Sequence, residues 1–434
     1  MHLLWLKTEL LHPVDKGGRI RTYNMLRYLR REHGVTYLAL DDGERAADAV
    51  ERSNEYCHRL VCLPFRSSAK RSASFYAELV RSQASSLPYA IWKYRSSEMR
   101  QAIERIVREE HIDIVVCDFL APAVNVPSGL GTLGCASVLF QHNVEAKIWE
   151  RHATNASNIL TARYMRSQWK RMRDFEAEQC RRFDGVIAVS PEDRMVFSEE
   201  YGARHVYDVP TGVDTDYFQP HPSSSAERVK NGLVFTGSMD WLPNEDGLVH
   251  FVDAVFPRVK LAVPDVSLAI VGRNPSPRVL SLAQRDPAVT VTGRVADVRP
   301  YISQAAVFVV PLRVGGGTRL KIFEAMAMGK AVVSTTIGAE GLPVTGGENI
   351  LLADEPGTQA DAIVELLRDP ARAARLGRRA ATDVRTSFGW DRVADNFAAI
   401  CESVVRRRAD RRENGDRDEI SYSVADDLEG EGGR

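Results

Sequence analysis

Between Val307 and Leu342 the chain reads VFVVPLRVGGGTRLKIFEAMAMGKAVVSTTIGAEGL, and no other stretch limits the fold so tightly. The apolar run Val307 to Leu312 predicts a strand buried on both faces, and Gly315, Gly316 and Gly317 predict a loop. A helix follows from about Thr318 to Met328, Gly329 stops it, and Ala331 to Ser334 forms a second strand. A strand that feeds a helix through glycines presents unpaired N–H groups at the positive end of the helix dipole. Such a point suits an anion, most often a phosphate. On the helix, Leu320, Phe323 and Ala327 recur at core-facing spacing, while Lys321 and Glu324 share another face. Thr318 can cap the first turn, and Arg319 and Lys321 add positive charge where the dipole is already positive, which an anionic ligand would explain. Glu324 lies about 9 Å along the axis from Thr318, at about 1.5 Å per residue, close to the reach from a diphosphate to a ribose. A surface Lys–Glu pair worth roughly a few tenths of a kcal/mol accounts for the same spacing without a ligand.

At 434 residues the chain exceeds one ordinary core, so two domains are expected. A net charge of −1 with 44 % hydrophobic residues fits a globular protein and carries no global nucleic-acid signature. Charge is uneven, however. Arg163, Arg166, Lys170, Arg171, Arg173, Arg181 and Arg182 face only Asp174, Glu176 and Glu178 in the same segment, which fits a solvated helix face or a peripheral contact with anionic lipid. The six cysteines form no CxxC and complete no zinc pattern with histidine, so free thiols in a reducing compartment are expected. The apolar run in MHLLWLKTELL is short for a signal peptide and reads as a first strand, and no run reaches the length of a membrane span.

The rest of the chain alternates strand and helix signals. Leu3 to Leu6, a loop with Gly17 and Gly18, a helix over Arg19 to Arg31 and a strand over Val35 to Leu40 make a βαβ start without GxGxxG. Arg59 to Leu63, Ile112 to Cys117 and Ser137 to Phe140 read as strands, the last ending in QHNVE, so that His142 falls beyond a strand's carboxyl end. Helices are expected over about Ala156 to Arg182. Ser190 and Pro191 open another, and His221 to Lys230 is a candidate linker. Asp214 and Asp216 spell a DxD, a pattern that can hold a metal, although this pair sits beside the candidate linker. Beyond the linker, strands again end in glycine: Gly237-Ser238, Gly272-Arg273 and Gly293-Arg294-Val295, where backbone can approach a ligand closely. From Arg406 the composition turns to charged runs that cannot bury a core.

EAMAMGKAVVSTTIGAEGL is similar to the EAMAxGxPVV signature of retaining glycosyltransferases of family four, whose GT-B fold sets two doubly wound α/β domains across a cleft. SPEDR and PTGVDTDYF resemble that family's Ser-x-x-Asp turn and its interdomain run, with Thr211 in place of an asparagine. The resemblance implies a domain over 1–220, completed by a helix at about 388–408, a nucleotide-sugar domain over 226–387, and a charged tail over 409–434. It implies a metal-independent hexosyltransferase moving sugar from a nucleotide diphosphate to a glycan or lipid-linked acceptor, cytoplasmic or peripheral on the inner membrane face, with no cofactor and no nucleic-acid partner. His142 would lie near donor sugar and acceptor, with Gly17 and Gly18 closing from the first domain. Gly237 and Ser238 would lie near the diphosphate, Gly293, Arg294 and Val295 would clasp the base, and Glu324 would hold the ribose. The family's usual first glutamate is replaced by Gly316, leaving sugar contacts to the amides of Gly316, Gly317 and Thr318. The usual basic residue is replaced by Ser238, so Arg319 and Lys321 are expected to supply the cation, Lys321 above all. A binding-only scaffold and a sugar-nucleotide epimerase are the alternatives.

Overall fold

The computed structural model describes residues 1–434 except 16, 44, 67, 70, 71, 155–157, 221–228, 315–319 and 414–434. Runs such as HLLWLK and IVVCD are apolar without alternation, so they are stable only where helices cover both faces of a sheet. Two all-parallel sheets result. The first contains β1 (His2–Lys7), β2 (Gly34–Asp41), β3 (Arg59–Pro64), β4 (Ile114–Asp118), β5 (Ala136–Phe140), β6 (Gly185–Ala188) and β7 (Val206–Asp208), in the order β3-β2-β1-β4-β5-β6-β7. The second contains β8 (Gly232–Thr236), β9 (Ser267–Val271), β10 (Val289–Val291), β11 (Val307–Val310), β12 (Ala331–Ser334) and β13 (Leu351–Leu352), in the order β10-β9-β8-β11-β12-β13.

Strand order reverses once in each sheet, between β1 and β4 in the first lobe and between β8 and β11 in the second. Leu3 pairs with both Val35 and Ile114, which fixes the register there. Crevices for ligands form beyond the carboxyl ends of strands at such reversals.

The last helix, Trp390–Glu413, returns to the first lobe. Trp390, Val393, Ala394, Phe397, Cys401 and Val404 recur at helical spacing and enter the same core as Leu3, Trp5 and Val35. The Phe397 ring lies 5.5 Å from Trp5 and 5.1 Å from Phe140. At the crossing, Val213 bridges to Gly389, and a Cβ on Gly212 would stand 2.6 Å from the Trp390 indole, so only glycine fits.

Some sequence expectations are corrected. Gly17 and Gly18 belong to the first turn of the helix Gly17–Leu29, not to a loop. Close packing demands the second glycine, since a Cβ on Gly18 would lie 2.9 Å from the Phe119 ring. Within the span Ala156 to Arg182, where helices are expected, one helix covers Ile159–Arg182, capped by Asn158 on the Thr161 amide at 2.8 Å, and a further helix, Glu145–Thr154, precedes it. The last helix extends to Glu413, past the expected start of the tail at 409, because Arg407 reaches the Tyr207 hydroxyl and Arg411 the His205 ring. The linker serines and the glycine loop Gly315 to Gly317 lie outside the described residues.

Candidate active site

The first-lobe reversal is occupied by charge. Lys7 ends β1 and Asp118 ends β4, and their side chains meet at 2.7 Å across the gap. Asp118 Oδ2 also accepts from the Thr22 hydroxyl (2.6 Å) and the Trp5 indole (3.0 Å), while Oδ1 lies 2.7 Å from His142 Nε2. All five residues are buried. Burial raises the Asp118 carboxyl, but Lys7 and His142 outweigh it and hold the group well below the usual carboxylate range. Burial pushes His142 far below the usual histidine range. Asp118 opposes that shift, and Arg21 and Lys7 reinforce it. A neutral imidazole beside an ionised carboxylate donates through Nε2–H, which leaves the lone pair on Nδ1. Its ring is gripped between Phe119, stacked at 3.8 Å, and Phe140 at 4.5 Å. Phe119 takes a left-handed backbone (φ 71°) to present that ring, and Lys7 Nζ sits 4.3 Å from its centroid.

The second-lobe reversal carries a different set. Lys321, on the helix Leu320–Ala327 that follows β11, donates to Asn244 Oδ1 at 2.8 Å and lies 4.2 Å from the Phe235 ring centroid. It stands beside Gly237, where an added Cβ would be 2.8 Å from its Nζ. Asn244 in turn donates to the Ser238 carbonyl at 2.7 Å. Ser238 Oγ donates to Asp240 (2.5 Å) and accepts from Arg273 Nε (3.1 Å). The neighbouring glycine turns pack backbone to backbone, since a Cβ on Gly272 would lie 1.7 Å from the Gly237 carbonyl oxygen. Gly293 takes φ +68° and accepts from the Gly272 amide at 3.2 Å, so the three glycine turns form one continuous rim. Arg294 is exposed, and Val295 is half-buried against the lobe's core. Glu324 is half-buried, and burial pushes its carboxyl up to about 7 against the opposing charge of Lys321. Gly316, Gly317, Thr318 and Arg319 lie outside the described residues. The first aspartate of the DxD shapes a turn: Asp214 Oδ1 accepts from the amides of Asp216 and Tyr217.

The two rims meet. Arg273 Nη1 is 3.6 Å from Asp15 of the first lobe, and a Cβ on Gly341 would touch Ser190 at 3.8 Å. His142 on one side and Lys321, Gly237 and Ser238 on the other therefore belong to facing edges. Sequence reasoning missed Lys7, Thr22 and Asp118, and it noted Arg273 only for the glycine before it. The available signal was a charge closing an otherwise apolar strand, as in HLLWLK and IVVCD.

Residues 16–217 match the family described as Glycosyltransferase Family 4, and residues 230–369 match the one described as Glycosyl transferases group 1. Over 237 residues the chain is 30 % identical to a GDP-mannose-dependent alpha-(1-6)-phosphatidylinositol monomannoside mannosyltransferase of Mycobacterium tuberculosis, covering 50 % of this chain and 60 % of that one. It is 28 % identical to a lipopolysaccharide core biosynthesis mannosyltransferase of Rhizobium meliloti, covering 52 % and 67 %. The chain thus spans about six tenths of the length of the first of these relatives. Among solved structures, sucrose-phosphate synthase from Thermosynechococcus elongatus superposes with a TM-score of 0.65 at 18 % identity, over 94 % of this chain and 100 % of that one. Anabaena HepE in complex with UDP and glucose superposes with a TM-score of 0.62 at 16 % identity, over 93 % and 100 %. The match in sequence over both lobes and the match in architecture over nearly the whole chain agree: this protein belongs to the family-four glycosyltransferases and has the GT-B fold.

Proposed function

We propose that the chain is a retaining glycosyltransferase that moves a sugar from a nucleotide diphosphate to an acceptor held in the cleft, in glycolipid or polysaccharide synthesis. The observation that carries this reading is the pair of facing strand-order reversals, with Lys321 beside Gly237 on one and His142 bound to Asp118 on the other. As the bond from sugar C1 to the diphosphate oxygen breaks, negative charge grows on the leaving group, and Lys321 and Arg273 would stabilise it. Removing one comparable donor costs about 3–4 kcal/mol of transition-state stabilisation. The acceptor oxygen bonds to C1 on the face the diphosphate leaves, and the departing oxygen takes the acceptor proton. His142, held neutral, would accept a hydrogen bond from a sugar or acceptor hydroxyl through Nδ1. Glu324, once ionised, would accept from the ribose hydroxyls.

Relatives named for phosphatidylinositol mannoside and lipopolysaccharide core support a lipid-linked acceptor. The first lobe offers a surface for it. Ala73, Tyr76, Ala77 and Val80 form an exposed apolar stripe on the helix Ala73–Ser82. Arg171 ties the end of that helix to Ile159–Arg182 by donating to the carbonyls of Ser82 and Gln83. On the second helix, Ile159 (84 % exposed) and Leu160 (78 %) lead into exposed Arg163, Arg166, Lys170 and Arg173, spaced along one face. An anionic bilayer complements apolar residues flanked by such a basic stripe. No helix among the described residues is long and apolar enough to cross a membrane.

The reading is tested by screening nucleotide sugars by thermal shift and assaying donor hydrolysis and transfer to lipid extracts. His142→Ala is expected to lower transfer about 10²-fold or more while leaving nucleotide affinity intact. Tight nucleotide binding with no turnover on any donor would favour a binding-only protein instead. For the surface, co-sedimentation with phosphatidylglycerol vesicles should exceed that with phosphatidylcholine and fall in an Ile159→Glu, Leu160→Glu variant. Equal partitioning of wild type and variant would remove the bilayer from this face.

A further inference from the structure

Two arginines of the helix Gly17–Leu29 are buried, and among the described residues one has partners for its N–H groups while the other leaves two nitrogens idle. Arg19 donates to Glu9 (2.6 and 2.8 Å) and to the Pro13 carbonyl (3.2 Å), with Asp15 at 3.6 Å. Arg21, two residues on and 2 % exposed, leaves Nε and Nη1 without a hydrogen-bond partner among the described residues. A buried guanidinium with idle N–H groups is costly, and such groups in native proteins are normally satisfied by a ligand or ordered water. Neither nearby anion hydrogen-bonds to these two nitrogens. Asp118 serves Lys7, Thr22, Trp5 and His142, and Asp193 lies in the turn capped by Ser190. Both carboxylates stabilise the Arg21 charge at a distance without forming a bond to it.

Location narrows the ligand. Arg21 interacts electrostatically with His142, Asp118 and Asp193, which are contributed by the ends of β5 and β4 and by the turn after β6. That turn holds Ser190, which meets Gly341 of the second lobe. Arg21 thus lies at the first-lobe edge of the cleft, on the side of His142 and opposite Lys321 and Arg273. Its helix begins four residues earlier at Gly17, so the positive end of a thirteen-residue helix reinforces the same place.

We propose that Arg21 is a binding residue for a phosphate ester on the acceptor, so that the acceptor class is a phosphorylated polyol, either free or as a phospholipid headgroup. This rests on the transferase reading above and narrows its acceptor. A guanidinium suits a phosphate because its several N–H donors can meet more than one oxygen of the ester at once.

The experiment uses the full chain saturated with whichever of GDP or UDP raises its melting temperature, so that the second-lobe cradle is filled. Glycerol 3-phosphate, glycerol and detergent-dispersed phosphatidylinositol are then titrated against wild type, Arg21→Gln, Arg21→Lys and Arg21→Met. At least one of the two phosphate esters should bind wild type while glycerol does not, and Arg21→Gln should weaken that binding by about tenfold or more. Arg21→Lys should recover part of the loss, and nucleotide affinity should stay within about twofold, a difference too small to reflect a lost charged hydrogen bond. Binding of glycerol 3-phosphate would assign a free polyol phosphate, and binding of the lipid alone would assign a headgroup. Arg21→Met should melt no lower than wild type, because it removes an unsatisfied buried charge. The proposal is overturned if neither ester binds the nucleotide-loaded protein, if nucleotide affinity falls together with ester affinity, or if Arg21→Met melts well below wild type. Failure to bind any nucleotide would instead sink the transferase reading itself.

Discussion

Lys7, at the end of β1, and Lys321, on the helix after β11, each bring a cation to a lobe's reversal of strand order. Each lies at the reversal of its sheet, and each ammonium sits just over 4 Å from an aromatic centroid, Phe119 for one and Phe235 for the other. Their partners differ. Lys7 is buried against the ionised Asp118, which also binds Thr22, Trp5 and His142 in one buried cluster. Lys321 is half-buried and donates to the neutral amide oxygen of Asn244. The difference teaches that a lysine brought to a strand-order reversal can be used in two ways. A carboxylate at the neighbouring strand end turns the lysine into a fixed strut that holds a histidine. On Lys321 the neutral Asn244 amide takes that place, and the lysine stays half-buried beside Gly237.

The sharpest way to break this comparison is Asp118→Ala. It strands the Lys7 ammonium in the core and frees the His142 ring, and a loss of about 3–5 kcal/mol in a denaturant titration is expected. A loss below about 1 kcal/mol, the range of an exposed pair, would show that the first cluster is no more rigid than the second.

Lys321→Ala should move stability far less, within about 1 kcal/mol, because the lysine is only half-buried and its hydrogen bond to Asn244 is to a neutral amide. The same variant sharpens the comparison through pH. Glu324, pushed up to about 7 by burial, is neutral in the fold at pH values where the unfolded chain is already ionised, so its contribution to stability is present below about 4.5 and is lost as pH rises through about 7. Lys321 opposes that shift, so without it the loss continues to higher pH. Melting curves at pH 5 and pH 8 should therefore show a larger drop for Lys321→Ala than for wild type. Parallel curves would mean that Lys321 and Glu324 do not sense one another.

How much of this was legible in the sequence follows from the range of each signal. Strand, glycine and helix succession is local, so the βα alternation of both lobes could be read from period and punctuation, and His142 from its place after Phe140. Partners about a hundred residues apart could not be. Nothing near Lys7 announces Asp118, because only the reversal of strand order places β1 beside β4. Glycine spacing suggested a loop at Gly17 and Gly18, but their use is steric, since Gly18 makes room for the Phe119 ring. The arginines after residue 405 look like a solvated run because their acceptors, Tyr207 and His205, lie two hundred residues earlier.

The returning helix has a consequence for how the molecule is made. A nascent chain emerging from the ribosome could complete the second sheet as soon as its own strands are out, whereas the first sheet must wait with Trp5 and Phe140 uncovered until Phe397 has been synthesised. The sheet made first is therefore sealed after the sheet made second, and the aromatic backing behind His142 is finished by a helix synthesised later than every described strand.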